Sequence, residues 1–288
     1  MYDPNTQQPV LIYMHGQFGD AATLAAEKDF QAASTKAFIS IFPQGLNDKT
    51  SKDCGTGWNV IDSASSHDQT TCKSDAFAHT CCYSSCIESG ACTADGEGAN
   101  CGWATCADDD TFVMDIVEQL QNELCLGNIW LAGESNGGML AHGIMSKHPG
   151  AFKNIMPVYG LPFFGHAEKI TGDNSSLCQL HGRSDTVIPF DGGEAPDNGN
   201  GGWIYESAKT TLAALAKERN CEETESKPIS TPFDGGVQNI ACENFGACSG
   251  TGDAKTTVMF CLYDGYHGDF PADGTKLAMW FFEGKWQY

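Results

Sequence analysis

Gly133-Glu134-Ser135-Asn136-Gly137 carries the G-x-S-x-G spacing on which the reading of this chain turns. Ahead of it, Asn128-Ile129-Trp130-Leu131-Ala132 is apolar and strand-like. Behind it, Gly138-Met139-Leu140-Ala141-His142-Gly143-Ile144-Met145 reads as a helix. A strand that turns sharply into a helix lifts one serine hydroxyl above the sheet edge. Such a turn crowds the backbone, so small residues are needed on both sides of the serine. The pentapeptide alone is a weak signal. Its flanks, together with an acid and a histidine in order downstream, make it a strong one.

Those partners follow by elimination. In sites of this kind the serine is followed along the chain by an acid and then by a histidine. His142 and His148 lie on the helix leaving the elbow and point away from the hydroxyl. His166 comes too early for an acid to precede it on its own strand. His181 ends the apolar run Leu177-Cys178-Gln179-Leu180 and reads as a structural histidine. His267, directly after Thr257-Val258-Met259-Phe260-Cys261-Leu262-Tyr263, is left as the base. The acid belongs in the loop after the preceding strand, where Asp185 fits best. Asp264 and Asp269 flank His267, but sequence neighbours rarely face each other's side chains.

The chemistry requires these residue types. A serine hydroxyl attacks poorly until a base removes its proton. His267 supplies that base, and Asp185 fixes the imidazole tautomer and stabilises the imidazolium. The developing oxyanion needs fixed donors. The backbone N–H of Asn136, the residue after the nucleophile, is one candidate. The other is expected in His15-Gly16-Gln17-Phe18-Gly19-Asp20, after the strand Pro9-Val10-Leu11-Ile12-Tyr13-Met14, with Gln17 N–H as the candidate.

Pattern alternation predicts strands near 9–14, 37–42, 128–134, 154–159, 176–181 and 256–264. Helices are expected near 21–34, 109–124, 137–147, 203–218 and 274–284. Alternation of this kind means a mostly parallel sheet covered by helices on both faces. Asp108 to Asp110 are expected to cap the helix near 109–124. The Gly-rich stretch 192–202 lacks a following Lys-Ser/Thr, so it is not read as a phosphate cradle. One catalytic domain over 1–288 is expected.

The 288 residues include 16 basic and 37 acidic side chains, for a formal charge of −21. Such a surface repels nucleic acid and anionic membranes. No apolar run of about 20 residues exists to span a bilayer. No secretion-signal pattern opens the chain, so Met1 is expected to begin an already mature sequence. Fourteen cysteines favour an oxidising compartment and up to seven disulfides. Eight of them lie between Cys54 and Cys106, in a polar stretch with little apolar period. Residues 60–107 therefore read as a cysteine-rich loop insertion. Paired C-x-x-C spacing is lacking, so neither metal nor other cofactor is expected. Asp95-Gly96-Glu97-Gly98 lacks the further carboxylates of a calcium loop and reads as a turn. A monomer is expected.

Several segments together resemble the polyhydroxybutyrate-depolymerase and feruloyl-esterase branch of the α/β-hydrolases, similar to the first carbohydrate esterase family. They are His15-Gly16, Phe42-Pro43-Gln44-Gly45, Gly57-Trp58-Asn59 and Asp108-Asp109-Asp110-Thr111-Phe112-Val113. Gly133 to Gly138, Tyr159-Gly160-Leu161-Pro162, His181-Gly182-Arg183-Ser184-Asp185 and Gly265-Tyr266-His267 complete the set. The resemblance implies an α/β-hydrolase fold starting at the family's second or third strand. It implies a secreted serine carboxylic-ester hydrolase acting on feruloyl esters of plant polysaccharide or on polyesters of the polyhydroxybutyrate type. Acetylxylan, short-chain and aromatic-polyester hydrolysis are the alternatives. It also implies Ser135, Asp185 and His267 as triad, Trp58 as a substrate-cleft residue, and a bridge from Cys221 to Cys242 or Cys248. Phe163, Phe164 and Trp103 are further candidates to meet an aromatic ring. The family's Gly-x-Gly-His-x-Trp-Pro is here Gly265-Tyr266-His267-Gly268-Asp269-Phe270-Pro271, with Phe270 in place of tryptophan and one residue fewer before His267. A non-catalytic binding protein is disfavoured because all three triad residue types are kept. The insertion is expected to form a rigid wall of the cleft.

Overall fold

Strand residues that alternate between two buried faces build the centre of the molecule. Val10, Ile12 and Met14 enter one apolar cluster, while Leu11 and Tyr13 enter the other, and all five are fully buried. A strand covered on both sides must be apolar throughout, as this run is. The computed structural model describes residues 6–48, 55–60, 83–89, 105–164, 175–195, 203–249 and 255–286. Trp103, His166, the 95–98 turn, residues 196–202 of the Gly-rich stretch and most of the 60–107 insertion lie outside the described residues.

In chain order the elements are β1 (Gln8–Met14), α1 (Ala21–Glu27), α2 (Phe30–Ala33), β2 (Ile39–Ile41), β3 (Leu46–Asp48), β4 (Gly55–Gly57) and α3 (Ser84–Glu88). There follow α4 (Asp109–Glu123), β5 (Leu126–Glu134), α5 (Asn136–Lys147), β6 (Asn154–Val158) and β7 (Ser176–Gly182). The chain continues through β8 (Gly193–Glu194), β9 (Ile204–Tyr205), α6 (Ala208–Glu218), β10 (Lys227–Ile229), β11 (Ala241–Cys248), β12 (Thr256–Tyr263) and α7 (Gly274–Phe282). The main sheet has eight strands in the order β10-β11-β12-β7-β6-β5-β1-β2. From β12 to β2 every neighbour runs parallel, so the carboxyl ends of β1, β5, β6, β7 and β12 share one edge. Side chains of α4, α5 and α6, among them Val113, Val117, Leu140, Ile144, Leu212 and Leu215, pack on one face. Leu24, Phe30, Leu277 and Phe281, from α1, α2 and α7, pack on the other. This is the α/β-hydrolase fold, with each expected strand and helix represented.

Three local expectations are corrected. The helix expected over 21–34 is two helices, because Asp20 and Asp29 each cap a separate start by accepting from Thr23 N and Ala32 N, both at 2.9 Å. The helix expected from 203 starts at Ala208, where the Ser207 hydroxyl accepts from Thr210 N. The residues before it pair as β9 with β8. Asp108 makes no side-chain cap to α4. Asp109 instead accepts from Asn59 N at 2.6 Å and from the Thr105 hydroxyl at 3.2 Å, while Asp110 meets Lys147 and His148. Two strands outside the expected set, β10 and β11, extend the mostly parallel sheet antiparallel beyond β12. Cys221 is bridged to Cys248, one of the two expected partners; Cys242 joins Cys261 and Cys86 joins Cys106. Cys178 stays a buried thiol, so the full seven bridges are not reached.

Candidate active site

The chain turns from β5 into α5 at Ser135, whose φ of 51° lies in the left-handed region that non-glycine residues seldom adopt. The turn is held open by absent side chains. A Cβ on Gly137 would lie 2.5 Å from His15 O, and one on Gly133 would enter the Gly137 peptide. Ser135 N donates to Val158 O at 2.8 Å, and Ser135 O accepts from Met139 N at 2.9 Å. The strained residue is thus fixed on both sides by the strand β6 and its own helix.

Asp185 sits in the loop after β7 and His267 in the loop after β12, at the same sheet edge as Ser135. Ser135 Oγ lies 2.9 Å from His267 Nε2, and His267 Nδ1 lies 2.8 Å from Asp185 Oδ2. Asp264 faces away and pairs with Arg183 at 2.8 Å, and Asp269 accepts from Tyr266 N. Neither reaches His267 through a hydrogen bond among the described residues.

The Asp185 carboxylate is saturated with donors. Oδ1 accepts from Val187 N at 2.9 Å and Ile188 N at 2.8 Å, and Oδ2 is shared between His267 and His181 Nε2, the latter at 3.3 Å. Burial by itself pushes this carboxyl up, but the hydrogen bonds from His181 and His267 outweigh it and hold it at about 2. Asp185 is therefore ionised at neutral pH. The ring of Tyr159, directly after β6, packs against that of His267 in a T-shaped arrangement with centroids 5.0 Å apart. The Tyr159 phenol is pushed well up by burial and by the Glu134 carboxylate, so it stays neutral.

The loop after β1 lies against the serine: a Cβ on Gly16 would be 3.1 Å from Ser135 Cβ. His15 shapes this loop. Gly45 N donates to its Nε2 at 3.0 Å, which leaves Nδ1–H to donate to Gly16 O at 2.7 Å. Burial lowers its pKa, in keeping with a neutral ring. The loop is closed from the far side by Phe18 N donating to Thr56 O and by the Thr56 hydroxyl donating to Gly19 O. Gln17, the candidate donor of this loop, also sends its side-chain Nε2 to Tyr83 Oη at 2.8 Å. Tyr83 belongs to the expected insertion, so a described part of that insertion touches the candidate oxyanion loop.

Trp58 departs from its expected place. It is fully buried, with no ring surface for a substrate to rest on. Its indole N–H donates to His15 O at 2.8 Å, its ring lies 5.0 Å from that of His15, and its backbone is clasped by Asn136. Asn136 Oδ1 accepts from Trp58 N at 2.6 Å and Asn136 Nδ2 donates to Trp58 O at 3.1 Å. Sequence reasoning valued Asn136 for its backbone N–H alone and did not see this side-chain clasp, which only proximity in the fold creates. Of the other aromatic candidates, Phe163 is buried against Trp203 and Tyr205, and Phe164 is half exposed.

A second unforeseen group ties the elbow to the histidine loop. Glu134, the residue before the serine, accepts from Tyr13 Oη at 2.9 Å and pairs with Lys28 Nζ at 2.9 Å. Lys28 in turn lies 3.9 Å over the ring of Phe270, the residue standing where the resembling family has tryptophan.

No protein-family model matches the chain. It is 27% identical over 198 residues to feruloyl esterase C of Emericella nidulans, a match covering 66% of this chain and 61% of that protein. It is 26% identical over 197 residues to the probable feruloyl esterase C of Aspergillus terreus, again covering 66% of this chain and 61% of the relative. The chain thus matches about three-fifths of the length of these curated relatives. Among solved structures it resembles acetyl xylan esterase from Aspergillus awamori at a TM-score of 0.56 and 13% identity, over 98% of this chain and 92% of that one. Esterase PE8 gives a TM-score of 0.54 and 16% identity over 98% and 94% of the two chains. At such identities the likeness of structures speaks for the fold.

Proposed function

We propose that this α/β-hydrolase is a secreted serine carboxylic-ester hydrolase, acting through Ser135, His267 and Asp185 on aromatic esters of the feruloyl type. The observation that carries the reading is the hydrogen-bonded line from Asp185 Oδ2 through His267 to Ser135 Oγ. His267 Nε2 takes the hydroxyl proton as Oγ attacks the ester carbonyl, then returns it to the departing alcohol. A water follows the same path in reverse, and the acyl group leaves as a carboxylic acid. Asp185, ionised and held by two backbone N–H groups, keeps Nδ1 protonated and balances the imidazolium charge. The N–H groups of Asn136 and Gln17 are assigned to the oxyanion. Support for the feruloyl class comes from the feruloyl esterase relatives, and support for secretion from the disulfides. Residues 1–288 are read as one catalytic domain, with the 60–107 insertion beside the oxyanion loop, as the Gln17–Tyr83 contact suggests.

Methyl ferulate, p-nitrophenyl esters of rising acyl length and solid polyhydroxybutyrate form the test panel. Ser135→Ala is expected to remain folded by circular dichroism and to lose about 10⁴-fold or more in turnover. A folded variant that keeps over about a hundredth of the activity refutes the nucleophile assignment. A wild-type protein that hydrolyses acetates but not methyl ferulate refutes the substrate class alone.

A further inference from the structure

His181 and His142 are fully buried histidines that the ester chemistry above leaves unused. They form one hydrogen-bonded file with Gln179 that ends on the acid. His181 Nε2 lies 2.7 Å from Ile188 O, a group that only accepts, so Nε2 carries the ring proton. The same Nε2–H faces Asp185 Oδ2 at 3.3 Å. Nδ1 is then the acceptor and takes Gln179 Nε2–H at 3.2 Å. That turns Gln179 Oε1 toward His142 Nε2, which donates to it at 3.0 Å. His142 is lowered to about 4 by burial, so it donates as a neutral ring. From His142 through Gln179 to His181 each hydrogen bond thus pairs one donor with one acceptor, and the direction is set by the Ile188 carbonyl.

The file also joins three elements. His142 is on α5, whose first turn is the serine elbow; Gln179 and His181 are on β7; Asp185 is in the loop that follows. We infer that His181 is a positioning residue for the Asp185–His267 pair, contacting the same Asp185 Oδ2 that meets His267 and tying it through Gln179 to the elbow helix. This inference rests on the reading of Ser135, His267 and Asp185 as a triad. With His181 in place, Oδ2 divides its charge between two imidazoles. Without its N–H, Oδ2 serves His267 alone, the imidazolium is better stabilised, and the base protonates at higher pH. Other groups face the pair: Tyr159 beside His267, Glu134 behind Tyr159, and Tyr263 beside Asp185 with Asp269 next to it. All of them remain in the variants below, so they cancel in the comparison.

His181→Phe keeps volume and removes the donor, whereas His181→Gln restores one. Two quantities are read: the acid limb of the kcat/KM–pH profile on p-nitrophenyl acetate, and the proton NMR resonance of His267 Nδ1–H in the resting protein. For His181→Phe the acid limb is expected to rise by roughly half a unit to one unit, and kcat to fall about tenfold with KM little changed, because the loosened Asp185 carboxylate misorients His267 by more than its extra charge helps. The resonance is expected to move as well, and His181→Gln to recover most of each change. A folded His181→Phe with both readouts unmoved overturns the inference. If that variant does not fold, Gln179→Met takes its place, since it leaves His181 but strips the donor from Nδ1. It must shift both readouts in the same direction by less, and no shift overturns the inference equally. The resonance needs no turnover, so an active Ser135→Ala would refute the triad reading while leaving the hydrogen-bond test of His181 separately readable.

Discussion

Replacing Asn136 by alanine should cost this protein more stability than its position after the nucleophile suggests. The side chain is fully buried and spans 78 residues of sequence to hold both backbone polar groups of Trp58, N–H at 2.6 Å and C=O at 3.1 Å. Alanine leaves a buried donor and a buried acceptor without partners, at about 1–3 kcal/mol each. Allowing for a water entering the space, the expected loss is about 3 kcal/mol. At an m-value of about 3 kcal/mol/M, the urea midpoint falls by roughly 1 M. Activity should fall too, because Trp58 holds His15 O and, through it, the loop after β1. Asn136→Asp sharpens the test. One carboxylate oxygen still accepts from Trp58 N, but the other opposes Trp58 O, so the variant should be destabilised at pH 7 and partly recover as the carboxyl protonates. Equilibrium urea unfolding at pH 7 and pH 4, with kcat and KM at pH 7, decides the matter. Asn136→Ala within about 1 kcal/mol of the parent would refute the argument, since two lost buried hydrogen bonds cannot cost so little.

Asp185→Asn should lower kcat by about 10⁴-fold, whereas Asp264→Asn, whose partner Arg183 is surface-exposed, should stay within about twofold. A larger loss in the Asp264 variant, read on the same ester, would reverse the choice of acid. The folded-state value of about 2 for Asp185 against the usual 3.8 also makes a pH prediction. A depressed carboxyl stabilises the fold above its unfolded pKa and loses that contribution as pH falls through its folded pKa. About 2 kcal/mol should therefore vanish between pH 4 and 2. Urea midpoints of the parent and of Asp185→Asn should converge over that window, and parallel pH curves would refute it. Removing the Cys221–Cys248 bridge by serine at both positions should cost about 2–4 kcal/mol, measured by thermal unfolding without reductant. An unchanged Tm would show that the bridge adds nothing to the fold.

The sequence by itself determined the layered architecture, because its information is local and periodic. Apolar runs such as Val10-Leu11-Ile12 need cover on both sides, and Gly133 and Gly137 bracket a turn that admits no side chain. Chain order singled out Ser135, Asp185 and His267, and the fold brings these three within hydrogen-bond reach of one another. The antiparallel β10 and β11 were not legible: Lys227-Pro228-Ile229 is too short to show a period, and β11 changes register between Asn244 and Ala247. Helix breaks at Asp29 and before Ala208 turned on which of several polar residues captures a backbone N–H, a competition settled by surroundings. Only the tertiary structure decided the contacts of Trp58, Asn136 and His181. Trp58 looks like a cleft aromatic until its indole is seen donating inward to His15, and the contact between the buried His181 and the acid is visible only in the fold. Those contacts depend on hydrogen bonds between residues that are far apart in sequence or on different elements. A linear pattern records which groups are present, and packing alone decides which of them meet.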